Sequence, residues 1–459
     1  MNLSQYIAGL RNKKIGVLGI GVSNRPLIKR LLKEGCSLTA YDKSDRSALG
    51  EIADEIEESG GRLVLGPSYL DKFDDDVIFK TPGIRPDVPA LEEARKRGAV
   101  VTSEMEAFFE VCPCKIIAVT GSDGKTTTTT IISELLKASG YTVHLGGNIG
   151  RPLLCDADSI GKDDVAVLEL SSFQLMTMKK CPDIAVVTNV APNHLDVHKD
   201  MDEYIRAKAN IFLNQPESGR IVLNYDNDIT RKFAESAKGK IVFFSRQNSI
   251  GEGVFLKDGN IAICVDGVKE TVINTEDILI PGVHNIENYM AAFGAVYDMV
   301  SPETMCNVAK SFGGVEHRIE LVRRLRGVSY YNDSIASSPT RTIAGLHSFK
   351  QKVILIAGGK DKGVPFDELG HEIIKHVKTL VLTGYTADKI KDAVTGCVEY
   401  KGAPPIIVED DFKAAVLAAA GSANEGDVVI LSPACTSFDK FKNFAERGRI
   451  FKEIVNQLK

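Results

Sequence analysis

Residues 115–132 read KIIAVTGSDGKTTTTTII, an apolar, β-branched run that breaks at glycines and resumes as a helix-like segment. Glycines without a Cβ let backbone N–H groups curl around an anion, and the following helix points its positive end at the same place. Lys125 adds a full charge, and the hydroxyl of Thr126 is placed to ligate magnesium. The stretch predicts a strand, a triphosphate-binding loop and a helix. Val119 stands where the general pattern has its first glycine, so a ligand-free Gly-rich turn is the alternative.

Composition limits the class of protein. The chain has 459 residues, which at roughly 100–200 residues per domain predicts about two to four domains. A net charge of −5 argues against a surface that coats nucleic acid. Nine cysteines without a framework spacing predict free thiols in a reducing compartment. The N-terminus has no apolar leader and no 18-residue apolar run occurs, so we expect a cytoplasmic protein without membrane insertion.

Residues 13–42 repeat the plan of strand, glycine turn, helix and strand. Gly19 and Gly21, followed by Asp42 at the end of the next strand, resemble a dinucleotide-binding fingerprint. Asn24 replaces the third glycine of that fingerprint. A mononucleotide, a sugar nucleotide or a purely structural turn fits these residues as well.

Strands and helices alternate along most of the remaining chain, which predicts an α/β fold. The pattern restarts after Cys112-Pro113-Cys114 and beyond Gly313-Gly314, so we place domain boundaries there. Asp258-Gly259 and Asp266-Gly267 are hairpin signals within a short β-rich stretch of the second segment. The segment at 281–299 is predicted to be a helix, and a third βα series begins near Ser329. The predicted domains are residues 1–112, 113–313 and 314–459.

Glu169 ends the strand-like run VAVLEL downstream of the phosphate loop. An acid at the end of such a strand is placed to be a further magnesium ligand. The competing interpretation is an acid that caps the next helix.

Residues 188–212 read TNVAPNHLDVHKDMDEYIRAKANIF, with His194 in a loop that directly follows a strand. On the helix that follows, Tyr204, Lys208 and Phe212 recur every four residues and share one face. Burying an unpaired ammonium there would cost several kcal/mol. Lys208 therefore either extends its head to water or has a depressed pKa or a covalent modification that makes it functional.

Ligand-competent side chains also follow strands in the third segment. They lie at Asp333, in the loop GGKDKG at 358–363 and in LSPACTSFDKFKNFAERG at 431–448. We expect these loops at one sheet edge, where open α/β sheets bind ligands. Lys362 is suited to bind a carboxylate, and an ordinary solvated lysine is the alternative.

Several motifs follow one another along the whole chain: TGSDGKTTT, GGNIG, ELSSFQL, NHLDVH with AKANIF, GVHNIENYMAA, EHRIE, YNDS and LSPACTSFDKFKNFAERGRIF. In content and order they resemble the Mur ligases, and ELSSFQL with the C-terminal block resembles the D-glutamate-adding members. The resemblance implies three domains: a Rossmann-like N-terminal domain for the UDP-substrate, a central P-loop ATPase-like mononucleotide-binding domain for ATP, and a C-terminal Rossmann-like domain for the amino acid. It implies ATP-dependent addition of D-glutamate to UDP-N-acetylmuramoyl-L-alanine (UDP-MurNAc-L-Ala) through an acyl phosphate, in cytoplasmic peptidoglycan precursor synthesis.

The resemblance also implies roles for single residues. The UDP-substrate would contact Val22, Ser23, Asp42, Lys43, Thr81, Gly83 and Asn148. ATP would be bound by Gly121, Ser122, Asp123, Gly124, Lys125, Thr126, Thr127, Asn285, Asn288, Arg318 and Asp333. D-glutamate would meet Ser337, Lys362, Ser437 and Phe444. Of two Mg²⁺ ions, one would be held by Thr126 and Glu169 and the other by His194 and an N-carboxylated Lys208, whose carbamate suits a hard cation.

Lys125, His194 and Lys208 are the catalytic residues that this resemblance implies. Cations are needed because triphosphate, substrate carboxylate and carbamate converge, and His194 is the expected base for the attacking amine. Ile335 stands where a familiar form of the family motif has lysine, so that position is left unassigned. We expect a monomer that acts on small molecules, with no nucleic-acid partner.

Other functions stay open on the sequence alone. A nicotinamide-dependent dehydrogenase would use the first domain, although Asn24 and the phosphate loop count against it. A nucleotide switch or binding protein would use the loop without ligation. A related amide ligase that adds another amino acid is the closest competitor, because only the family motifs separate the two.

Overall fold

The computed structural model describes residues 1–459, which form two compact units. The first unit comprises Met1–Thr275 with Glu287–Val308, and the second comprises Glu276–Ile286 with Ala309–Lys459. Two sheets lie in the first unit and one in the second, and helices connect most of their strands. The predicted α/β fold is confirmed. None of the helices combines the length and the apolar character that crossing a bilayer requires.

The first sheet is parallel and occupies the N-terminal part of the chain. Its strands are β1 (Lys14–Leu18), β2 (Ser37–Asp42), β3 (Arg62–Leu65), β4 (Val77–Lys80) and β5 (Val100–Thr102), and its helices are α1 (Leu3–Ala8), α2 (Arg25–Lys33), α3 (Arg46–Leu49), α4 (Glu51–Glu58), α5 (Pro89–Lys96) and α6 (Glu104–Val111). The strand order is β3-β2-β1-β4-β5, so the order reverses between β1 and β4. Ligands of open α/β sheets bind beyond the strand ends at such a reversal.

The second sheet has nine strands and carries the phosphate loop. Its strands are β6 (Lys115–Thr120), β7 (Val143–Gly147), β8 (Val165–Glu169), β9 (Ile184–Val187), β10 (Arg220–Asn224), β11 (Lys240–Ser245), β12 (Gly253–Lys257), β13 (Asn260–Val265) and β14 (Val268–Asn274). The helices from this part of the chain are α7 (Lys125–Ala138), α8 (Ser172–Leu175), α9 (Met201–Ala209), α10 (Asp228–Phe233), α11 (Val283–Val296) and α12 (Pro302–Ser311).

In the second sheet, β6 lies between β9 and β8, and all three are parallel. Their carboxyl ends therefore bring the phosphate loop, Glu169 and the loop after β9 to one edge. The two predicted hairpins are confirmed, since β12, β13 and β14 pair antiparallel. Asp258 and Asp266 have positive φ at the turns, with glycine next to each, as tight hairpin turns require.

The third sheet fills the second unit. Its strands are β15 (Glu320–Leu325), β16 (Val328–Asn332), β17 (Val353–Ala357), β18 (Val377–Leu382), β19 (Ile406–Val408) and β20 (Val428–Leu431), and its helices are α13 (Pro339–Leu346), α14 (Asp367–His376), α15 (Ala387–Thr395), α16 (Phe412–Gly421) and α17 (Phe444–Gln457). The order is β15-β16-β20-β17-β18-β19. The series begins with β15, earlier than predicted from the sequence. This edge strand reads ELVRRL, and its arginines hide the strand pattern; Arg323 donates hydrogen bonds to carbonyls at the end of α17.

Candidate active site

The phosphate loop joins β6 to α7 as predicted, and its two glycines are required on steric grounds. Gly121 has φ of 154° and Gly124 has φ of 77°. A Cβ on Gly121 would lie 1.9 Å from Oγ1 of Thr188, and a Cβ on Gly124 would lie 2.3 Å from Oδ1 of Asn288. Side chains at these positions would therefore distort the loop as well as fill it.

The loop after β9 fixes the shape of the phosphate loop. Oδ1 of Asn189 accepts hydrogen bonds from the backbone N–H of Ser122 at 3.1 Å and of Asp123 at 2.9 Å. Oγ1 of Thr188 donates to the carbonyl of Asp123 at 2.6 Å. These two N–H groups are thus engaged inside the protein, although both residues were expected to bind ATP. The N-terminus of α7, which no side chain caps, keeps the positive end of the helix dipole available to an anion.

Glu169 connects two other predicted site residues. Its Oε2 accepts a 2.6 Å hydrogen bond from Thr126, and its Oε1 accepts a 2.7 Å hydrogen bond from Nδ2 of Asn148. The carboxylate is buried, and α8 is capped by Ser171 instead. The capping interpretation of Glu169 is therefore wrong. A buried carboxylate beside a threonine hydroxyl is a set of hard oxygen ligands, which fits Mg²⁺.

Lys208 is buried beneath the phosphate loop. Its Nζ donates to the carbonyl of Gly121 at 2.5 Å and lies 4.7 Å from the ring centroid of Tyr204. Only 1% of the residue is exposed, so the interpretation in which its head reaches water is wrong. Burial lowers the pKa of Lys208 to about 6, and the charge of Lys125 acts in the same direction. The amine is therefore largely neutral at neutral pH.

Lys125 and His194 border the same loop. Nζ of Lys125 donates to the carbonyls of Gly121 at 3.0 Å and Ser122 at 2.9 Å. His194 has φ of 55° and packs edge-on against Phe173. Burial lowers the pKa of His194, and the charge of Lys125 lowers it further against the opposing charge of Asp196. Its imidazole is neutral at neutral pH and able to accept a proton.

A cavity of about 210 Å³ joins the first two sheets. Val22 and Ser23 from the first line it together with Asn148 from the second, as the predicted substrate site requires. Lys80 and Glu104 also line it and were missed by the sequence reasoning. Burial lowers the pKa of Lys80 to about 8 and raises that of Glu104 to about 7. A lysine at the end of the otherwise apolar, buried strand VIFK was the signal for the first of them.

Other predicted residues of the first sheet lie outside the lining of that cavity. Asp42 accepts hydrogen bonds from the N–H groups of Ile20 at 2.7 Å and Ser44 at 2.8 Å, so it shapes the turns after β1 and β2. Thr81 packs against Gly19, where a Cβ would lie 2.8 Å from its Cγ2. Lys43 and Gly83 are exposed.

Asn24 has a structural reason to replace the third fingerprint glycine. It is buried, and its Nδ2 donates to the carbonyls of Leu18 at 3.0 Å and Gly19 at 2.9 Å. The side chain thereby ties the start of α2 to the end of β1.

A charged network that the sequence did not reveal ties the first sheet to α9. Arg85, after β4, donates to Oε1 of Glu203 at 2.9 Å and to the carbonyl of Val197. This guanidinium lowers the pKa of Glu203 to about 2. Oε2 of Glu203 lies 3.5 Å from Nδ1 of the buried His198. The helix that carries Lys208 is thus anchored to the first sheet.

In the second unit, Asp333 is buried at the end of β16. It accepts hydrogen bonds from Oγ of Ser432 at 2.7 Å and from the N–H of Ile319 at 3.3 Å. Burial raises the pKa of Asp333 to about 7, against the opposing effects of those hydrogen bonds and of Arg318. His317 and Ile319, on either side of Arg318, both have positive φ, a strained arrangement that is frequent at functional sites.

Two of the predicted D-glutamate residues meet in this unit. Nζ of Lys362 lies 3.3 Å from Oγ of Ser337. Ser437 is buried, while the ring of Phe444 is partly exposed and packs edge-on against His317. Lys362 is exposed, so its amine is available to a carboxylate.

Arg447 was missed by the sequence reasoning and holds two of these loops together. Its buried guanidinium donates to the carbonyls of Ser334 at 2.9 Å, Cys435 at 3.2 Å and Thr436 at 3.2 Å, and its Nε donates to Oγ of Ser334 at 3.0 Å. Burial lowers the pKa of Arg447 to about 10. An arginine four residues before the core residue Phe451 was the signal.

The remaining predicted ATP residues lie in α7 and α11. Thr127 is buried in the first turn of α7, and Oγ1 of Thr128 in the same helix donates to Oδ1 of Asn288 at 3.2 Å. Asn285, three residues before Asn288, donates to the carbonyl of Pro281 at 2.6 Å.

Two protein-family models match parts of the chain. Residues 119–296 match the Mur ligase middle domain, and residues 317–435 match the Mur ligase, glutamate ligase domain. A UDP-N-acetylmuramoylalanine–D-glutamate ligase of Ruminiclostridium cellulolyticum is 52% identical over 100% of this chain and 99% of its own length. Its namesake from Acetivibrio thermocellus is 54% identical over 99% of both chains.

Solved structures share the fold at low sequence identity. UDP-N-acetylmuramate-alanine ligase from Thermotoga maritima superposes with a TM-score of 0.58 at 18% identity, covering 98% of this chain and 100% of that one. A UDP-N-acetylmuramoyl-L-alanyl-D-glutamate–2,6-diaminopimelate ligase gives 0.57 at 17% identity, covering 97% and 93%. At this low identity the solved structures show only that the fold is shared. The relatives that are more than half identical over the full length show common descent. The chain therefore belongs to the Mur ligase family.

Proposed function

We propose that this chain uses ATP to join D-glutamate to the L-alanyl carboxylate of UDP-MurNAc-L-Ala, a step of peptidoglycan precursor synthesis. The observation that carries the proposal is the convergence of the phosphate loop, Glu169 and the buried Lys208 at the carboxyl edge of the second sheet. The names of relatives that are 52% and 54% identical over nearly the whole chain support the choice of substrates.

Each part of the chain would bind one substrate. Residues 1–112, with Val22 and Ser23 at the cavity, would hold the UDP-substrate; residues 113–313 would hold ATP at the start of α7. Residues 314–459 would hold D-glutamate, and the 3.3 Å approach of Lys362 to Ser337 supports a carboxylate site there. Arg318 and Asp333 are proposed nucleotide contacts.

The donor set supports Mg²⁺. Thr126 and Glu169 would hold one ion, and His194 with Lys208 would hold the second once the lysine is N-carboxylated. When bound, Mg²⁺ supplies positive charge to the phosphate oxygens. Burial makes the amine of Lys208 neutral, and a neutral amine adds to CO₂: the new N–C bond forms, one proton leaves and a carbamate anion results.

The reaction would proceed in two displacements. The L-alanyl carboxylate attacks the γ-phosphorus of ATP, the bond to the leaving oxygen of ADP breaks, and an acyl phosphate forms. The D-glutamate amine then attacks the acyl carbon, phosphate leaves and the amide remains. Lys125 offsets negative charge near the phosphates, and the lone pair of the neutral His194 imidazole is available to the ion. Holding carboxylate and phosphate in attack geometry can contribute about 7–11 kcal/mol.

Phosphate release with UDP-MurNAc-L-Ala, ATP and a panel of amino acids tests the proposal. Turnover is expected with D-glutamate and not with L-glutamate, L-lysine or diaminopimelate. Turnover with one of the others instead would identify a related amide ligase. ATP hydrolysis at a rate that no amino acid changes would indicate a nucleotide switch. NAD binding in a titration would favour the dehydrogenase hypothesis instead.

A further inference from the structure

We propose that His347, Glu372 and His376 form a Zn²⁺ site at the amino edge of the third sheet. The loops that carry Asp333 and Lys362 lie at the opposite edge. His347 ends α13, while Glu372 and His376 are one turn apart in α14. Their ligand atoms all lie within 4.8 Å of one another. Two imidazoles and a carboxylate are a typical ligand set for zinc, with a fourth position left for water.

The interatomic distances suit a tetrahedral ion. Nε2 of His376 lies 3.4 Å from Oε2 of Glu372, and Nε2 of His347 lies 2.6 Å from the same oxygen. With zinc–ligand bonds of about 2.0–2.1 Å, neighbouring ligand atoms stand about 3.3 Å apart. The His376–Glu372 pair already has this spacing. The His347–Glu372 hydrogen bond would open by less than about 1 Å to admit the ion.

Lys375 orients the carboxylate of Glu372 for one ion. Lys375 binds Oε1 at 2.7 Å and leaves Oε2 as the single metal-binding oxygen. Outer contacts of this kind orient metal ligands.

A second cluster on the same helix is a weaker candidate. His371, Cys397 and Glu399 also group together. Two of its side chains are largely exposed, 48% for His371 and 60% for Glu399, whereas in the first cluster only His347 is, at 51%, with His376 at 32% and Glu372 at 19%. Ordering exposed side chains around an ion costs more entropy. His371 is therefore a suitable control position.

The place of the site in the fold separates it from the proposed reaction. His347 and His376 end helices that lead into β17 and β18, so they lie at the amino edge of those parallel strands. Asp333 and Lys362 follow the carboxyl ends of strands, at the opposite edge. Zinc would cross-link the ends of α13 and α14 and stabilise the fold without contacting substrate.

The test uses the full-length protein freed of metal, with Zn²⁺, Co²⁺ and Mg²⁺ as probes. Titration calorimetry is expected to show that one Zn²⁺ ion binds per chain. His347→Ala and His376→Ala should each lower the affinity for Zn²⁺ by more than about 100-fold, and His371→Ala should leave it unchanged. Zn²⁺ at a hundredfold excess over its dissociation constant should raise the unfolding temperature of the parent by about 5 °C, and not that of the two variants. Mg²⁺ should not substitute.

Co²⁺ absorption reports the ligands directly. A four-coordinate spectrum without thiolate charge transfer is expected, because the proposed site has no cysteine. Thiolate bands, or loss of the equivalent in His371→Ala alone, would place the ion at the second cluster and overturn the proposal. So would unchanged binding in both histidine variants. Glu372→Gln, which keeps the side-chain size, provides a third variant should an alanine variant misfold.

Discussion

The amine of Lys208 in α9 donates a 2.5 Å hydrogen bond to the carbonyl oxygen of Gly121, the first glycine of the phosphate loop. A lysine from one element thus ends beneath the phosphate-binding turn of another. The ammonium form is disfavoured there by burial and by Lys125. A carbamate on this nitrogen would bring an anion to the loop and would be a ligand suited to Mg²⁺.

Removing this lysine should abolish the reaction. Lys208→Ala is expected to lower amide formation by about 100-fold or more, because the proposed second metal position would lose its anionic ligand. Added short carboxylates such as acetate or propionate should restore part of the rate by supplying the missing oxygens. Lys199→Ala, which removes an exposed lysine paired with Asp87, is the matched control and should stay active. Full activity of Lys208→Ala would end the carbamate proposal.

Carboxylation of Lys208 should depend on pH in a direction set by its pKa of about 6. Only the neutral amine adds CO₂, so the carbamate should form above about pH 6 and disappear below it. An ordinary lysine with a pKa near about 10.4 would remain protonated throughout the neutral range. The measurement is the ¹³C NMR carbamate signal of protein equilibrated with labelled bicarbonate. The signal should be absent from Lys208→Met.

The same lowered pKa affects stability when CO₂ is excluded. Between about pH 6 and pH 10 the unfolded chain binds a proton on this lysine that the folded chain does not bind, so the lysine favours folding more as pH rises. The free energy of unfolding of Lys208→Met, relative to the parent, should therefore be largest near pH 6 and decrease by up to about 1.4 kcal/mol per pH unit above it. Urea unfolding at several pH values measures this difference, and a difference independent of pH would contradict a neutral buried amine.

Lys125 should be needed for chemistry and dispensable for binding of the uridine nucleotide. Lys125→Ala is expected to lower ADP formation by on the order of 10²–10³-fold, because charge on the phosphates loses a fixed cation. Lys137→Ala removes a half-exposed lysine from the last turn of the same helix, where it pairs with Glu134, and should have little effect. Equilibrium binding of UDP-MurNAc-L-Ala should be unchanged in both variants. Loss of that binding in Lys125→Ala would indicate misfolding.

The glycine at the start of α7 can be compared with the glycine after its end. Gly124 and Gly140 have φ of 77° and 89°, but only at Gly124 would a Cβ meet another atom, Oδ1 of Asn288 at 2.3 Å. Gly140→Ala should cost about 1 kcal/mol from backbone conformation alone. Gly124→Ala should cost about 2 kcal/mol or more and also abolish ADP formation. Equal costs in urea unfolding would show that Asn288 moves aside freely.

Arg447 should act on the amino-acid site through the loops that it joins. Arg447→Lys is expected to raise the KM for D-glutamate about tenfold or more, because an ammonium cannot reproduce the planar hydrogen bonds to Ser334, Cys435 and Thr436. Arg449→Lys, at an exposed position of the same helix, is the control. The KM for UDP-MurNAc-L-Ala should not change in either variant. A purely structural role would lower stability and leave both KM values as they are.

Local patterns predicted the fold and many of the residues of the candidate site. The glycines and Lys125 predicted the phosphate loop, because its chemistry depends on residues adjacent in sequence, and the hairpins at Asp258 and Asp266 were predicted for the same reason. The edge strand β15 was missed, because its Arg323 binds the end of α17, more than a hundred residues away.

Residues that act through distant partners were the hardest to predict. Arg85 and Glu203 are 118 positions apart, and nothing near either residue indicates the pair. For Lys208 the four-residue spacing with Tyr204 and Phe212 left two interpretations open, and only the fold shows that the lysine is buried. For Asp42 the sequence suggested a ligand contact, whereas its carboxylate is engaged by two backbone N–H groups.

The hydrogen bonds from Ser122 and Asp123 to Asn189 mean that the phosphate loop already has its conformation before a nucleotide binds. Nucleotide binding therefore does not have to offset the conformational entropy lost in ordering a flexible loop. The affinity for ATP should therefore depend in part on the amide side chain of Asn189, and a shorter side chain at this position would weaken nucleotide binding by returning disorder to the turn.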